Sequence, residues 1–535
     1  MKLAHMKSGS RLRKIRKTTF AGLDRREGAP EGAIRDMGNI SPRAFPYLAT
    51  RPKRMTDWSP ENGAVDAISW EGLFLATRED YYYKGKRVGT RAQTGESSLC
   101  GIGNKIAVMP DKRLFDITTW KFSPMGAGTK ASSATFSDGT LYGKAAKACT
   151  LTLSPAPAEG TFKTGDGLTI SGCRTHPENN RTIILREIQG NKMVFAENSF
   201  TVDGSSYTET GSISVERRIP DLDGLCEYGN RLWGYHGKNI YASKLGDPTN
   251  WEVFDGLETD SWTLTTGSQG NFTGCISYGG SPTFFKETSI VRIYGETPST
   301  FRTRETEANG VQRHCTKSLA IAGETLFYMS PVGVMAYRGG LPRLVGEVME
   351  NREIHHTAAG SDGYRYYASI WEGGVHSGRQ YVYDTTKGIW SVEDDSQAFA
   401  YAYHEGNLYR IDADAHIMLV GDIHNPPHTA HEESGMIPWY AELVPFDDGS
   451  PDFKGITQIQ IRAKMEPGGS IKAEIDTGSG WETIGEAAYQ GDIQEIVFPM
   501  IPRRAGTYRI RLSGTGSTTV YDLTRTIWYG SDRKE

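Results

Sequence analysis

The sequence predicts an all-β protein built on a β-propeller of about six or seven blades. Three observations support this fold class. Glycine accounts for 62 of the 535 residues, apolar and polar residues alternate along many short segments, and one hairpin-like pattern recurs. Period-two alternation between turns rich in Gly, Asn and Asp is typical of strands joined by tight connections.

The recurring unit places a glycine beside a polar residue between two alternating segments, as in EYGNRLWGYHGKNIYAS and IAGETLFYMSPVGVMAYRGG. Such a unit cannot bury both faces of its sheet alone, so it stacks on its neighbours around a ring. This predicts propeller blades over residues 61–124 and 219–422. The alternative is a series of meander hairpins in sandwiches. The glycines that mark the copies are spaced 31, 126, 50, 44, 40 and 43 residues apart: Gly72, Gly103, Gly229, Gly279, Gly323, Gly363 and Gly406.

The long interval of 126 residues predicts an insertion. Residues 125–218 contain their own alternating segments, such as GTFKTGDGLTISGC and RTIILREI, and we expect a small β-barrel or β-sandwich grafted on a blade loop. Residues 423–436 contain two adjacent prolines, which predict a linker. Residues 437–535 alternate again in short segments, which predicts a C-terminal β-sandwich.

Residues 1–60 have scattered prolines and no sustained apolar periodicity, so we expect an extended assembly arm that orders only against another surface. Residues 1–54 carry 14 basic and 4 acidic residues, net +10, whereas the rest of the chain carries 46 basic and 60 acidic residues, net −14. Docking on an acidic neighbouring subunit is the favoured role, with nucleic-acid phosphates or a solvated tail as alternatives. The candidate assembly residues are Arg11, Arg13, Lys14, Arg16, Lys17, Arg25, Arg26, Arg51, Lys53 and Arg54.

Targeting and redox features are sparse. No 18-residue apolar run exists, and charged residues stand where a signal peptide needs apolar ones, so we expect neither a membrane span nor secretion by that route. The 6 cysteines are dispersed without a C-x-x-C pair, which favours free thiols in a reducing compartment.

The motifs for catalysis, cofactors and metals are weak. His424, His428 and His431 stand beside Glu432 and Glu433, but the order differs from H-E-x-x-H and prolines interrupt it, which favours a linker over a metal site. No calcium-loop pattern surrounds the recurrent acidic residues, which are interpreted as turn caps: Asp221 and Asp223, Asp412 and Asp414, and Asp447, Asp448 and Asp452. No pair of carboxylates suited to glycoside hydrolysis and no phosphate-binding loop stands out. We therefore expect no enzyme, no cofactor and no metal.

Three stretches carry a family resemblance: FAGLDRREGAPEGAIRDMGNISPRAFPYLATRPKR, YGNRLWGYHGKNIYASKLGDPTNWEVF with TFFKETSIVRIYG, and FPMIPRRAGTYRIRLSGTGSTTVYDLTRTIWYGSDR. They resemble the tail hub or nozzle β-propeller proteins of tailed bacteriophages, which include the packaged-DNA-stabilising and tubular tail proteins of short-tailed phages. The resemblance implies a virion protein of the tail, present in the host cytoplasm during assembly. Its implied role is a ring subunit below the portal and adaptor that retains packaged DNA and forms part of the ejection path. The implied partners are further copies of itself, the portal or adaptor, other tail proteins and, transiently and without sequence preference, double-stranded DNA.

Two other functions remain open. A host-surface or glycan-binding tail protein would bind sugar through the insertion or the C-terminal sandwich, where Trp439, Trp481 and Trp528 offer stacking faces, although core positions also explain them. A propeller hydrolase acting on polysaccharide ranks last.

Overall fold

The computed structural model describes residues 12–60, 63–93, 95–142, 145–350, 354–372, 378–412 and 416–529. Helical structure in these residues is confined to three 3₁₀ turns, at Pro177–Asn179, Thr316–Ser318 and Glu347–Met349. The predicted all-β class is therefore confirmed. The chain divides into two compact units: the first combines Met1–Gly63 with Lys317–Glu535, and the second is Ala64–Thr316.

The N-terminal segment forms six short strands of the first unit. They are β1 (Leu12–Lys17), β2 (Gly22–Leu23), β3 (Ala33–Gly38), β4 (Ile40–Ala44), β5 (Tyr47–Thr50) and β6 (Met55–Trp58). Each joins a sheet that strands from the C-terminal part of the chain complete, and Phe20, Ile34 and Met37 are fully buried. This differs from the predicted extended arm. The segment shows no periodicity of its own because the strands that pair with it lie far along the chain.

The second unit begins with two four-stranded antiparallel sheets. The first contains β7 (Ala64–Ser69), β8 (Leu73–Thr77), β9 (Asp80–Tyr83) and β10 (Lys86–Thr90). The second contains β11 (Ser98–Ile102), β12 (Lys105–Met109), β13 (Arg113–Asp116) and β14 (Lys121–Pro124). Each is a meander in which chain neighbours pair, as the alternating segments predict.

A seven-stranded sheet follows, with its own buried core that includes Phe136, Leu151 and Ile213. Its strand order is β18-β17-β21-β15-β16-β20-β19. The strands are β15 (Ala127–Tyr142), β16 (Ala145–Ser154), β17 (Gly167–Ser171), β18 (Thr182–Ile184), β19 (Glu187–Gln189), β20 (Lys192–Phe195) and β21 (Ser206–Arg217).

Two more four-stranded meanders complete the second unit. They contain β22 (Gly224–Tyr228), β23 (Arg231–His236), β24 (Asn239–Ala242) and β25 (Trp262–Thr265), then β26 (Gly274–Ser277), β27 (Pro282–Phe285), β28 (Ser289–Tyr294) and β29 (Arg302–Glu307). Gly229 and Asn230 both have positive φ, 62° and 56°, which is the type I′ turn suited to a two-residue hairpin. The first strands of consecutive meanders contact one another in the order β7, β11, β22, β26.

The first unit contributes three further sheets of the same kind. Their strands are β30 (Ala320–Ala322), β31 (Thr325–Ser330), β32 (Gly333–Tyr337) and β33 (Arg343–Leu344); β34 (Ile354–Ser361), β35 (Arg365–Glu372), β36 (Gly378–Asp384) and β37 (Ile389–Val392); and β38 (Ala398–His404), β39 (Asn407–Asp412), β40 (Ile417–Val420) and β41 (His431–Glu432). Again the first strands, β30, β34 and β38, are neighbours. Strand β6 lies between β40 and β41, so the N-terminal segment completes the last sheet.

Meanders stacked through their first strands are the blades of a β-propeller, so the fold is of the propeller type. The described residues form seven blades, which agrees with the predicted number.

The C-terminal strands form a β-sandwich that includes strands from the N-terminal segment. They are β42 (Pro438–Leu443), β43 (Lys454–Met465), β44 (Ser470–Asp476), β45 (Trp481–Ala488), β46 (Ile493–Ala505), β47 (Arg509–Thr515) and β48 (Thr518–Tyr529).

The sandwich has two six-stranded sheets. Sheet A has the order β4-β5-β48-β43-β46, with β1 paired to β48, and sheet B has the order β2-β3-β42-β47-β44-β45. In β43, Ile459 and Ile461 are buried while Arg462 is exposed, so the alternation sets which face of the strand packs inward.

Candidate assembly site

The ten basic residues that the sequence singles out fall into two groups. Arg11 lies outside the described residues. Arg13, Lys14, Arg16 and Lys17 lie on β1, which we call the basic strand. The remaining five residues, Arg25, Arg26, Arg51, Lys53 and Arg54, contact carboxylates of the same chain.

The basic strand lies at an edge of sheet A. Where the structure describes the chain, it pairs with β48 alone, in antiparallel register from Leu12 opposite Trp528 to Lys17 opposite Leu523. Its other edge therefore leaves backbone N–H and C=O groups open to a further strand. The strand is mostly exposed, as its polar composition requires.

Two of its cations, Arg16 and Lys17, have partners within the chain. Arg16 reaches Asp522 at 2.6 Å although its side chain is 57% exposed, and the hydrogen bond from this carboxylate raises the pKa of Arg16. Lys17 donates to the carbonyl of Glu31 at 2.5 Å. Arg13 and Lys14 are exposed, and neither forms an ion pair with any of the described residues. These two side chains are available to a partner.

Arg54, unlike Arg13 and Lys14, is buried and pairs with carboxylates of the same chain. Its guanidinium donates to Glu393 at 2.7 Å and also to Asp394. Arg410, itself buried, donates to Ser396 at 2.6 Å beside them. Burial alone would raise the pKa of Asp394, but Arg54 and Arg410 outweigh it and hold that pKa below its usual range. The carboxylate is therefore charged at neutral pH.

The linker supplies the partners of Arg51 and Lys53. Arg51 donates two hydrogen bonds to Glu433, at 2.8 and 3.0 Å, and Lys53 lies 3.7 Å from Glu432. Burial raises the pKa of Glu433, but the hydrogen bonds from Arg51 outweigh it, so its net pKa is lowered. These two glutamates stand beside the histidines that sequence reasoning weighed as metal ligands; here they bind basic side chains.

Arg25 is buried against the blade strand β36. It donates to the hydroxyl of Tyr381 at 3.1 Å and to Asp36 at 3.2 Å. Asp36 also accepts from Arg379 at 2.8 Å. Burial alone would raise the pKa of Asp36, but the interactions with Arg379 and Arg25 outweigh burial and lower that pKa. Arg26 is more exposed and pairs with Asp24 at 2.8 Å. We call the contacts of Arg25, Arg51 and Arg54 the N-terminal junction.

Sequence reasoning missed the acidic and basic partners of the junction. Asp36, Arg379 and Arg410 have no motif around them, and only the adjacent acidic residues at 393–395 mark the position that receives Arg54. The prediction of turn-capping carboxylates holds for Asp447, which accepts from the N–H of Gly449 at 2.9 Å. Its neighbour Asp448 instead lies 2.9 Å from the buried guanidinium of Arg525.

Metal binding, membrane crossing and aromatic stacking were the other chemistries weighed for this chain. Within the described ranges, no group of three or more His, Cys, Asp or Glu side chains is arranged to hold a metal ion. The described part of the chain also contains no helix with the length and apolar character that a membrane crossing requires. Of the three tryptophans offered as stacking faces, Trp439 is buried, and Trp481 lies beneath the guanidinium groups of Arg509 and Arg511.

No protein-family model and no curated protein sequence matches the chain. Solved structures that match this chain include BamB from Moraxella catarrhalis, at 13% identity over 71% of this chain and 99% of that chain, with a TM-score of 0.35. The β-propeller domain of the Trilobed protease from Pyrococcus furiosus is 10% identical over 63% of this chain and 97% of that chain, with a TM-score of 0.27. An exo-beta-1,3-galactanase from Phanerochaete chrysosporium is 7% identical over 56% of this chain and 95% of that chain, with a TM-score of 0.23. These similarities concern the fold alone.

Proposed function

We propose that the chain is a structural virion protein, a tail hub or nozzle subunit that forms a ring below the portal or adaptor. In this proposal the ring helps to retain packaged DNA and forms part of its exit path, and it does so without catalysis. The observation that carries the proposal is the basic strand, which combines an open strand edge with Arg13 and Lys14, whose side chains form no ion pair with the described residues.

The charge distribution supports a contact between copies. Residues 1–54 carry net +10 and the rest of the chain net −14, so a basic segment of one copy and the body of the next attract each other. A ring of identical subunits uses such a heterologous contact, in which two different surfaces of the same protein meet. The N-terminal junction occupies Arg25, Arg51 and Arg54 within one chain, so in this proposal the basic strand makes the contact between copies.

The experiment compares Arg13→Glu/Lys14→Glu with a matched reversal at Arg302→Glu/Arg304→Glu on the exposed strand β29. Sedimentation velocity of the full-length protein, alone and with the purified adaptor or portal, measures ring formation. We expect the first variant to need at least ~10-fold more protein to assemble, which corresponds to a loss of about 1.4 kcal/mol in the free energy of each contact between copies. The control should assemble at the same concentration as the unchanged protein. A chain that stays monomeric under all conditions, or two variants that assemble equally well, refutes the proposal. Antibody labelling of intact particles then tests the position below the portal.

A further inference from the structure

A cleft of about 510 Å³ lies in the first unit, beside sheet B. Its walls come from three parts of that unit: the outer face of sheet B, the turn between β3 and β4, and the loop between β37 and β38. Clefts of roughly 300–1,000 Å³ are the size that binds small ligands. The cleft is separate from the basic strand, which belongs to sheet A.

The floor of the cleft is a row of polar side chains that crosses four strands. Tyr440 is opposite Ser513, Ser513 is opposite Lys472, and Lys472 is opposite Glu486. Residues in one such row project from the same face of a sheet, and adjacent strands lie about 4.8 Å apart, so the row is about 14 Å long. An elongated ligand fits along it.

The aromatic ring at one end of this row is held in place. Arg379 donates to the hydroxyl of Tyr440 at 2.9 Å, and that hydroxyl donates to Asp36 at 3.1 Å. Gly38 lies directly against the ring, since a Cβ there would stand 2.6 Å from its Cε1 atom. The half-buried ring thus presents a fixed apolar surface within the cleft.

The cleft also contains two exposed carboxylates. The exposed carboxylate of Glu486 makes no hydrogen bond or ion pair with the described residues. Asp395 accepts from Arg379 through one oxygen, at 2.7 Å, and its side chain remains 75% exposed. The oxygens of these two carboxylates that have no donor can each accept a hydrogen bond from a ligand.

We propose that this cleft binds an uncharged carbohydrate. Sugar hydroxyls donate to the carboxylates of Asp395 and Glu486, a sugar oxygen accepts from Ser513, and a C–H face packs on the ring of Tyr440. An anionic ligand is disfavoured because Glu486 has no cationic partner and the amine of Lys472 is already paired with Glu474 at 2.8 Å. This binding site is independent of ring assembly.

The test uses the full-length protein and an array of neutral oligosaccharides, with sialylated oligosaccharides and lysine-rich peptides as competing classes. Calorimetry then measures the affinity of the best neutral ligand. Glu486→Gln keeps the shape of the side chain but removes its charge, and Glu495→Gln is the matched control, because Glu495 is equally exposed but lies on sheet A. We expect Glu486→Gln to weaken binding at least ~10-fold and the control to bind as the unchanged protein does.

A second variant addresses the aromatic wall. Tyr440→Ala removes the ring, and hydrogen-exchange protection of β42 shows whether sheet B remains folded. With sheet B intact, loss of neutral-glycan binding supports the proposal. Absence of binding to every neutral oligosaccharide, binding of anionic glycans or lysine-rich peptides alone, or equal affinity of the two glutamine variants overturns it. None of these results changes the outcome of the sedimentation test of ring formation.

Discussion

Replacing Arg54 by methionine tests whether the N-terminal junction holds the N-terminal segment on the first unit. The side chain of Arg54 is 7% exposed, and those of its partners Glu393 and Asp394 are 9% and 21% exposed. The substitution keeps much of the side-chain volume but leaves two carboxylates with little access to water. Breaking a buried pair by removing one partner costs about 3–5 kcal/mol.

Hydrogen exchange, measured by mass spectrometry on the full-length protein, reports the stability of the N-terminal segment separately, because one segment can open without unfolding of the whole chain. We expect amide protection in β3 and β6 to fall by roughly a hundredfold to a few thousandfold in Arg54→Met, at about 1.4 kcal/mol per factor of ten. The control is Arg26→Met, whose side chain is 49% exposed; an exposed pair contributes about 0–1 kcal/mol, so protection falls by less than about fivefold.

A double variant separates lost packing from an uncompensated charge. In the Arg54→Met background, Glu393→Gln removes one of the stranded negative charges, so part of the protection returns if charge is the cause. Equal protection in Arg54→Met and Arg26→Met would refute the reasoning, because the segment would then be held by strand pairing alone.

Three further predictions concern the first unit and the thiols. Amide protection of the N-terminal segment should fall as the pH drops below about 4. The pKa of Asp394 is lowered in the fold, so its contribution to stability is complete above the pKa of an unfolded aspartate and is lost as the carboxylate protonates. Unchanged exchange between pH 5 and pH 3, after correction for the intrinsic rate, would contradict this. Gly514→Ala should lower the free energy of unfolding of the first unit in urea by about 1–3 kcal/mol, since a Cβ there would lie 2.1 Å from the carbonyl oxygen of Ser470. The control Gly340→Ala, with open space around the added Cβ and no positive φ, should change that free energy by less than about 0.5 kcal/mol. Equal losses in the two variants would count against the packing argument. The six cysteines are all buried, so a thiol reagent should modify none in the native protein and all of them in denaturant. Rapid labelling without denaturant would show that the second unit, which contains all six, opens more readily than the structure implies.

The blades could be predicted from the sequence because their pairing is local. A meander needs only an alternating segment, a tight turn such as Gly229-Asn230 and a second alternating segment, and all three are contiguous in the chain. The position of residues 12–60 could not be predicted in the same way. Strand β3 pairs with β42, and β1 pairs with β48, and neither partner is marked in the sequence of the N-terminal segment.

The candidate sites were predictable only in part, for a related reason. Basic residues clustered in sequence mark the N-terminal segment, but charge composition does not distinguish a buried guanidinium such as that of Arg54 from an exposed side chain such as that of Lys14. The cleft beside sheet B was not predicted, because the row that ends at Glu486 is assembled by cross-strand register from separate strands. Register of this kind becomes apparent only when the sheet order is known.

The contacts within the chain show how many of the basic residues in the N-terminal segment are available to a partner. Net +10 in residues 1–54 suggests many cations available to a partner, yet the N-terminal junction uses Arg25, Arg51 and Arg54 to hold the segment on its own chain. Such buried pairs are weakly screened by salt, whereas exposed charges are screened within about 10 Å at 0.1 M salt. The segment should therefore stay bound to the first unit at ionic strengths that abolish attraction through Arg13 and Lys14. In the proposed ring, salt or an acidic partner would therefore weaken the contact between copies while the fold of each copy is retained.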